Sequence, residues 1–139
     1  QPFLTQLCQI DSIGYYHFDI FLDSALATQA PKDYLPLHPL ELRILMALLR
    51  GPSFGTEIVR AIEAKERGGL RLYPANLYRR IRDLLGHALL EASPTPQGAD
   101  PRRSYVAITP LGRAVAEAET RRLQALVRDA IGKGLAATD

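Results

Sequence analysis

The chain has 139 residues, of which 47% are hydrophobic and 23% charged, with a formal net charge of +2. This length suits one domain with short appendages, and the composition is that of an ordinary globular protein. No apolar run approaches the roughly 18 residues that cross a bilayer, and no basic stretch precedes the first apolar residues, so we expect no membrane span, no secretion signal and a cytoplasmic location. Cys8 is the only cysteine, which excludes an internal disulfide and a thiolate-rich zinc site.

Residues 1–34 form an acidic and aromatic unit. They carry four aspartates against one lysine, a balance of −3 that leaves +5 for residues 35–139. Between Tyr15 and Gln29, apolar residues recur at three- and four-residue spacing, which predicts an amphipathic helix. Its apolar face needs a partner, and both the main domain and a second subunit are open as that partner. We therefore treat 1–34 as an N-terminal extension with a helix, and association with a dimer is one of its two open roles.

Two short helices are predicted after Pro39. The first has one apolar face and must end at Gly51–Pro52. That face consists of Leu42, Leu45, Met46 and Leu49. Ser53 is placed to cap the second helix, which Gly68 and Gly69 end. The buried stripe of the second helix consists of Ile58, Val59 and Ile62.

A third helix is predicted to begin at Pro74, because proline lacks the N–H that the first helical position does not use. Its inward face consists of Leu77, Ile81, Leu84 and Leu85. On the opposite face, Arg79 and Arg82 can reach guanine edges or phosphates, with Asn76 and Tyr78 on the flanks. Taken alone, an arginine-bearing amphipathic helix is more often a solvated face, so this interpretation depends on the neighbouring elements.

Two short strands are predicted after Gly86. Residues 88–92 and 104–108 carry apolar, β-branched and aromatic side chains, and a turn-forming loop between them ends in Arg102 and Arg103. A hairpin that follows three short helices is a wing, and its arginines would lie near the DNA backbone or in the minor groove.

The predicted fold is mainly α with a small β-hairpin. Thr109 is placed to cap a last helix with Pro110 at its first position. The predicted organisation is an N-terminal extension over 1–34, a winged helix-turn-helix domain over 35–109 and a C-terminal helix over 110–139.

Three stretches, in this order along the chain, resemble the PadR-like family of winged helix-turn-helix transcriptional regulators. Residues 52–58 are similar to the start of the family's second helix, with an aromatic-glycine pair before an apolar stripe. Residues 73–84 resemble its recognition helix, which opens with a proline, a small residue, a polar residue and Leu-Tyr. Residues 103–113 resemble its wing strand, followed by Thr-Pro and Gly-Arg. The resemblance extends over roughly residues 37–133.

The resemblance implies a homodimer, formed through the C-terminal helix, that binds a pseudo-palindromic operator in double-stranded DNA and represses a nearby operon. It implies neither a cofactor nor a metal. The residues expected to contact DNA are Ser53, Thr56, Asn76, Tyr78, Arg79, Arg82, Arg102 and Arg103. Asn76 and Arg79 stand where threonine and proline are commoner in the family, and Thr56 where an aromatic is frequent. The family's base preference therefore does not transfer to this chain.

An enzyme is not expected. His17, His38 and His87 lie on separate elements, and the chain has no nucleophile elbow, glycine-rich phosphate loop or metal-ligand spacing. Glu117 and Glu119 form a pair of carboxylates on the last helix, where they are expected to be solvated.

Two other functions stay open beside DNA binding. A winged-helix module that binds another protein would present an apolar patch on the third helix and wing, whereas a DNA-binding one would present positive charge. A regulator that senses a small effector would need an aromatic pocket between subunits. The candidates for such a pocket are Tyr15, Tyr16, Phe18 and Phe21.

Overall fold

The computed structural model describes residues 29–65 and 74–136. The chain divides into two units, Gln1–Asp33 and Tyr34–Asp139. A 3-10 helix, Pro31–Tyr34, precedes the main elements. The predicted helix between Tyr15 and Gln29 falls outside the described residues except for its last residue. Cys8 and the glycines predicted to end the second helix fall outside them entirely.

Four α-helices and three short strands follow in the described part of the second unit. They are α1 (Pro39–Ala47), β1 (Ser53–Phe54), α2 (Gly55–Lys65), α3 (Pro74–Gly86), β2 (Leu90–Ser93), β3 (Tyr105–Ile108) and α4 (Pro110–Gly132). Three helices followed by a hairpin and a long helix confirm the predicted fold class, a mainly α winged helix-turn-helix. No helix among these residues is long and apolar enough to cross a membrane.

The sheet has three antiparallel strands, with β3 in the centre. β2 and β3 form the predicted hairpin. β1 was not predicted, and it changes the role of Ser53. Ser53 pairs with Val106 in the sheet, and α2 begins only at Gly55. The prediction that Ser53 caps the second helix is therefore wrong, because its backbone is already part of a strand.

The buried face of α1 and the residues directly after it agrees only in part with the prediction, since Leu45 is buried and Leu42 partly buried as predicted but the other two members are not. Met46 is 56% exposed and Leu49 is exposed too, although both were assigned to the inward face. The buried members are Ile44, Leu45 and Leu48. Every residue from 44 to 49 is apolar, so helical periodicity could not choose between two adjacent faces. Packing of α1 against α2, α3 and α4 selects the buried face.

The remaining core follows the prediction. In α2 the residues Ile58 and Ile62 are buried, and Val59 is partly buried. The buried residues of α3 are Leu77, Ile81 and Leu84. Because one face of α3 is fully used in this core, its opposite face is left to solvent or to a partner.

The prediction that Glu119 is solvated is wrong. Its side chain is only 3% exposed, and it receives two hydrogen bonds from Arg122, from Nε at 2.7 Å and from Nη2 at 2.8 Å. The backbone N–H of Leu37 also donates to this carboxylate. Hydrogen bonds from Arg122, more than its charge, hold the pKa of Glu119 below its ordinary value of 4.5 against the opposing effect of burial. Glu119 thus ties the segment before α1 to α4.

The start of α4 fixes the base of the hairpin. Thr109 caps the helix as predicted, because its hydroxyl accepts a hydrogen bond from the Gly112 N–H at 2.9 Å and donates one to the Ala88 carbonyl at 2.7 Å. A Cβ on Gly112 would collide with the backbone carbonyl of Leu89. Only glycine therefore allows the first turn of α4 to lie so close to the chain that enters β2.

Candidate nucleic-acid interface

The outward face of α3 carries exposed side chains with no anionic partner. Asn76, Arg79 and Arg82 are all exposed. Neither arginine forms an ion pair with a carboxylate among residues 29–65 and 74–136. A fully charged guanidinium without a carboxylate is available to bind an external anion or a guanine edge.

Arg80, on the flank of the same helix, is used differently. Its Nη1 lies 3.5 Å from Oε2 of Glu41, and its side chain is only 21% exposed. The other oxygen of Glu41 accepts the His38 N–H at 3.1 Å, while Nδ1 of His38 accepts the Leu40 N–H at 3.1 Å. These bonds form a capping box at the start of α1. Arg80 therefore belongs to the contact between α1 and α3 and not to the outward face.

Tyr78 lies over the first residue of α2. The side chain is 47% exposed, and a Cβ on Gly55 would come within 2.8 Å of the Tyr78 hydroxyl oxygen and 2.9 Å of Cζ. The ring thus occupies the space that a side chain at position 55 would need. This explains why a glycine starts α2, a role that the sequence did not reveal. Ring and glycine are therefore in contact where α3 passes the start of α2.

Ser53 and Thr56 lie on either side of this contact. Ser53 is partly buried in β1, and Thr56 is exposed in the first turn of α2. Tyr78 touches Gly55 between them, so the chain segment 53–56 and α3 form one continuous surface. Among the predicted contact residues, Ser53 and Thr56 are thus within two positions of the glycine that Tyr78 contacts.

The tip of the wing is built from two consecutive turns. In the first, the Ala99 N–H donates to the Pro96 carbonyl at 3.0 Å, and Gly98 has a positive φ of 83° that glycine adopts at no cost. In the second, the Arg103 N–H donates to the Asp100 carbonyl at 3.2 Å. Aspartate at the first position and proline at the second are typical of such a turn.

Both wing arginines have partners. Asp100 accepts hydrogen bonds from Arg102, from the backbone N–H at 2.9 Å and from Nε and Nη2 at 3.1 Å each. The guanidinium carbon of Arg103 lies 4.4 Å from the centre of the Phe54 ring, and its Nε is 4.0 Å from Asp100. Phe54 in turn packs edge to face on Tyr105 at 5.2 Å. Arg102 and Arg103 are therefore held in defined positions by neighbouring side chains.

Hydrogen bonds from the Arg102 side chain and then its backbone hold the pKa of Asp100 below its ordinary value of 3.8. The charge of Arg103 acts in the same direction, and slight desolvation opposes it. Asp100 is thus ionised at neutral pH. Sequence reasoning missed Asp100 and Phe54, although Asp-Pro-Arg-Arg at 100–103 is a turn signal that places a carboxylate beside two arginines.

Fold and surface together define a winged helix-turn-helix protein with a basic outward helix. The model of the Transcriptional regulator PadR-like family matches residues 44–118, more than half of the chain. The chain belongs to this family, as the sequence resemblance predicts. The proposed effector pocket of Tyr15, Tyr16, Phe18 and Phe21 lies outside the described residues.

Solved structures of other regulators are similar to this chain. A PadR family transcription regulator from hypervirulent Clostridium difficile has a TM-score of 0.60 at 15% identity, covering 71% of this chain and 100% of its own. A transcriptional regulator from Clostridium thermocellum has a TM-score of 0.60 at 25% identity, covering 70% and 90%. A PadR family transcriptional regulator from Eggerthella lenta has a TM-score of 0.53 at 24% identity, covering 88% and 98%. No curated protein sequence matches the chain significantly.

Proposed function

We propose that the chain is a sequence-specific DNA-binding regulator, a repressor that acts as a homodimer on a pseudo-palindromic operator. The observation that carries this proposal is the outward face of α3, where Arg79 and Arg82 are exposed without a carboxylate while Arg80 beside them is paired. Membership of a family of transcriptional regulators supports it.

In this proposal α3 enters the major groove. Arg79 and Arg82 bind guanine edges or phosphates, and Asn76 pairs with adenine or holds a phosphate. Tyr78 donates its hydroxyl to a phosphate from its place over Gly55. Asn76, Arg79 and Arg82 follow one another at three-residue spacing, about one helical turn each, along the exposed face, so these side chains would reach successive base pairs.

The remaining predicted contacts are to the DNA backbone. Ser53 offers a hydroxyl from β1 and Thr56 one from the first turn of α2, and Arg102 and Arg103 extend from the wing to flanking phosphates. Such contacts fix the position of the protein on DNA but carry no sequence information directly.

The C-terminal part of α4 supports the dimer. Exposed apolar side chains recur there and just after the helix, at Leu126, Val127, Ile131 and Leu135. We propose that a second copy covers them. Two third helices would then lie about 34–36 Å apart, in successive major grooves on one side of the DNA.

A protein-binding module is the rival function, and the distribution of apolar side chains disfavours it. The large exposed apolar residues of the described chain lie on α1 and after residue 125, apart from Tyr78 on α3. A protein partner would be expected to use an apolar patch on α3 and the wing, which these residues do not form. The proposed function includes no catalytic step and no cofactor, and an operator target implies a cytoplasmic location.

The test is binding of the purified full chain to the DNA upstream of its own gene and to a scrambled duplex, across salt concentrations. We expect affinity for the native duplex to be about 10³-fold tighter or more, with log affinity falling linearly with log salt, by about −0.9 per phosphate contact. No preference together with no salt dependence would contradict the proposal and favour the protein-binding module.

A further inference from the structure

Asp100 lies between the two arginines of the wing, on the surface that the proposed function directs towards DNA. The Arg102 side chain is 88% exposed, so its pair with Asp100 lies at the outer surface of the wing and stabilises no core. An exposed ion pair of this kind contributes little to folding stability. We expect the ion pair instead to affect which groups the two arginines can bind.

The carboxylate occupies the donors that a phosphate would use. Nε and Nη2 of Arg102 point to the two oxygens of Asp100 in a forked arrangement. Arginine binds phosphate through the same fork. Arg103 has a weaker contact with Asp100 and is held over Phe54 in addition. A phosphate that binds Arg102 through this fork must therefore displace Asp100 first.

We propose that Asp100 competes with DNA phosphates for Arg102 and Arg103, and so limits the part of the affinity that does not depend on sequence. This inference rests on the proposed function. One carboxylate against two guanidinium groups leaves the wing tip with a single net positive charge at residues 100–103. Base recognition by α3 is untouched, so discrimination between sequences depends on α3 while the wing contributes only moderate attraction to any DNA.

The substitution Asp100→Asn separates this role from the shape of the turn. Asparagine keeps an oxygen that can accept the backbone N–H of Arg102, which Asp100 now accepts at 2.9 Å. It removes the charge that holds the guanidinium. We therefore expect the turn to be kept and the fold to stay intact, the latter checked by thermal unfolding of both proteins, while Arg102 becomes free.

The experiment compares full-length wild type and Asp100→Asn on the upstream duplex and on a scrambled duplex, across salt concentrations. We expect the variant to bind both duplexes about two- to fivefold more tightly, because that is the range of one exposed ion pair. The plot of log affinity against log salt should steepen by about 0.9 for each arginine that gains a phosphate. The ratio between the two duplexes should not change.

Two controls identify the cause. Glu91→Gln removes one exposed carboxylate from β2, where no arginine pairs with it among the described residues, and it should raise affinity less. In an Arg102→Ala background, Asp100→Asn should lose most of its effect. Equal gains from Glu91→Gln and Asp100→Asn, or an undiminished gain without Arg102, would overturn the role of Asp100.

The outcomes for the two proposals are distinguishable. Equal or weaker binding of Asp100→Asn to the scrambled duplex overturns the role of Asp100, whatever the wild type prefers. A wild type that binds both duplexes equally contradicts sequence-specific regulation, while a gain in the variant would still support competition by Asp100. Absence of any DNA binding by either protein would overturn both.

Discussion

The outward face of α3 and the contact region of α1, α3 and α4 use arginine in opposite ways. In the contact region, Arg80 pairs with Glu41, and Arg122 binds the buried Glu119 through two of its nitrogens, Nε and Nη2. On the outward face, Arg79 and Arg82 have no carboxylate among the described residues. Within α3, then, the arginine that lies against α1 is paired with a carboxylate, whereas the two arginines on the face proposed to bind DNA have no carboxylate partner among the described residues.

The wing shares a feature with each region, because its arginine is paired but exposed. Arg102 donates two side-chain hydrogen bonds to its carboxylate, as Arg122 does, but at longer distances of 3.1 Å, and the carboxylate of Asp100 is partly exposed whereas that of Glu119 is buried. Removing a buried carboxylate is destabilising, because the donors that it accepted lose their acceptor, and the N–H of the buried Leu37 has no water to replace it. An exposed pair can exchange its partner at little cost. Burial of the carboxylate partner, and not pairing alone, therefore separates a structural arginine from one that can bind DNA.

The largest expected effect comes from breaking the buried pair. Glu119→Ala removes the acceptor of Arg122 and of the Leu37 N–H, and it should lower the free energy of unfolding by about 3 kcal/mol. Chemical denaturation measures this loss. Glu117→Ala is the matched control, because Glu117 is an exposed carboxylate on the same helix, and it should change stability by no more than about 0.5 kcal/mol. Similar values for the two variants would contradict a structural role for Glu119.

Arg82→Ala tests whether the outward face of α3 reads bases. It should reduce operator affinity by about 1–3 kcal/mol and relax the preference at one base pair of each half-site. Arg80→Ala removes the same charge from the same helix, but it should lower stability and leave the base preference intact. Arg103→Ala should weaken binding to all sequences about equally. Uniform losses for Arg82→Ala and Arg103→Ala would contradict base reading by Arg82.

Gly55→Ala tests whether the position of Tyr78 matters for binding. A methyl group at position 55 would displace the Tyr78 ring, whose half-exposed end can move without disturbing the core. We expect operator affinity to fall by about 1 kcal/mol, the net contribution of one hydrogen bond, with little change in thermal stability. In a Tyr78→Ala background the same substitution should have no further effect on affinity. An additional loss there would show that Gly55 acts by another route.

The smallest expected effect is on the pH dependence of stability. The pKa of Glu119 is lowered in the folded chain, mainly by hydrogen bonds from Arg122. Its contribution to stability is therefore complete above its ordinary value of 4.5 and is lost as the pH falls through the lower folded value. Denaturation of wild type and Glu119→Gln between neutral pH and pH 3 should show a smaller acid loss in the variant. Parallel curves would exclude Glu119 as a source of the loss.

Much of the fold could be predicted from the sequence because its signals are local. Pro74 starts α3 and Thr109 caps α4, and each depends on residues within one helical turn. β1 could not be predicted, since a two-residue strand has no periodicity. Its strand character comes from pairing with β3 across more than 50 positions of sequence.

The sequence predicts which charged residues lie in the candidate site, but it does not predict which of the charged residues have ion-pair partners. Exposure of Asn76, Arg79 and Arg82 follows from helical geometry once Leu77 is inward. The pairing of Arg80 with Glu41 joins residues 39 positions apart, and no local pattern indicates it. Burial of Glu119 is likewise hidden, because its Leu37 partner lies before α1. Long-range contacts thus decide which charges stay available.

The most direct test of the account is methylation interference on the operator. Methylation of guanine N7 modifies the major groove, and methylation of adenine N3 modifies the minor groove. If α3 reads the major groove, N7 methylation should block binding at positions about 10–10.5 base pairs apart in the two half-sites, and Arg82→Ala should remove one of these positions from each. Interference confined to adenine N3, or none at either base, would contradict the proposal that the outward face of α3 binds DNA.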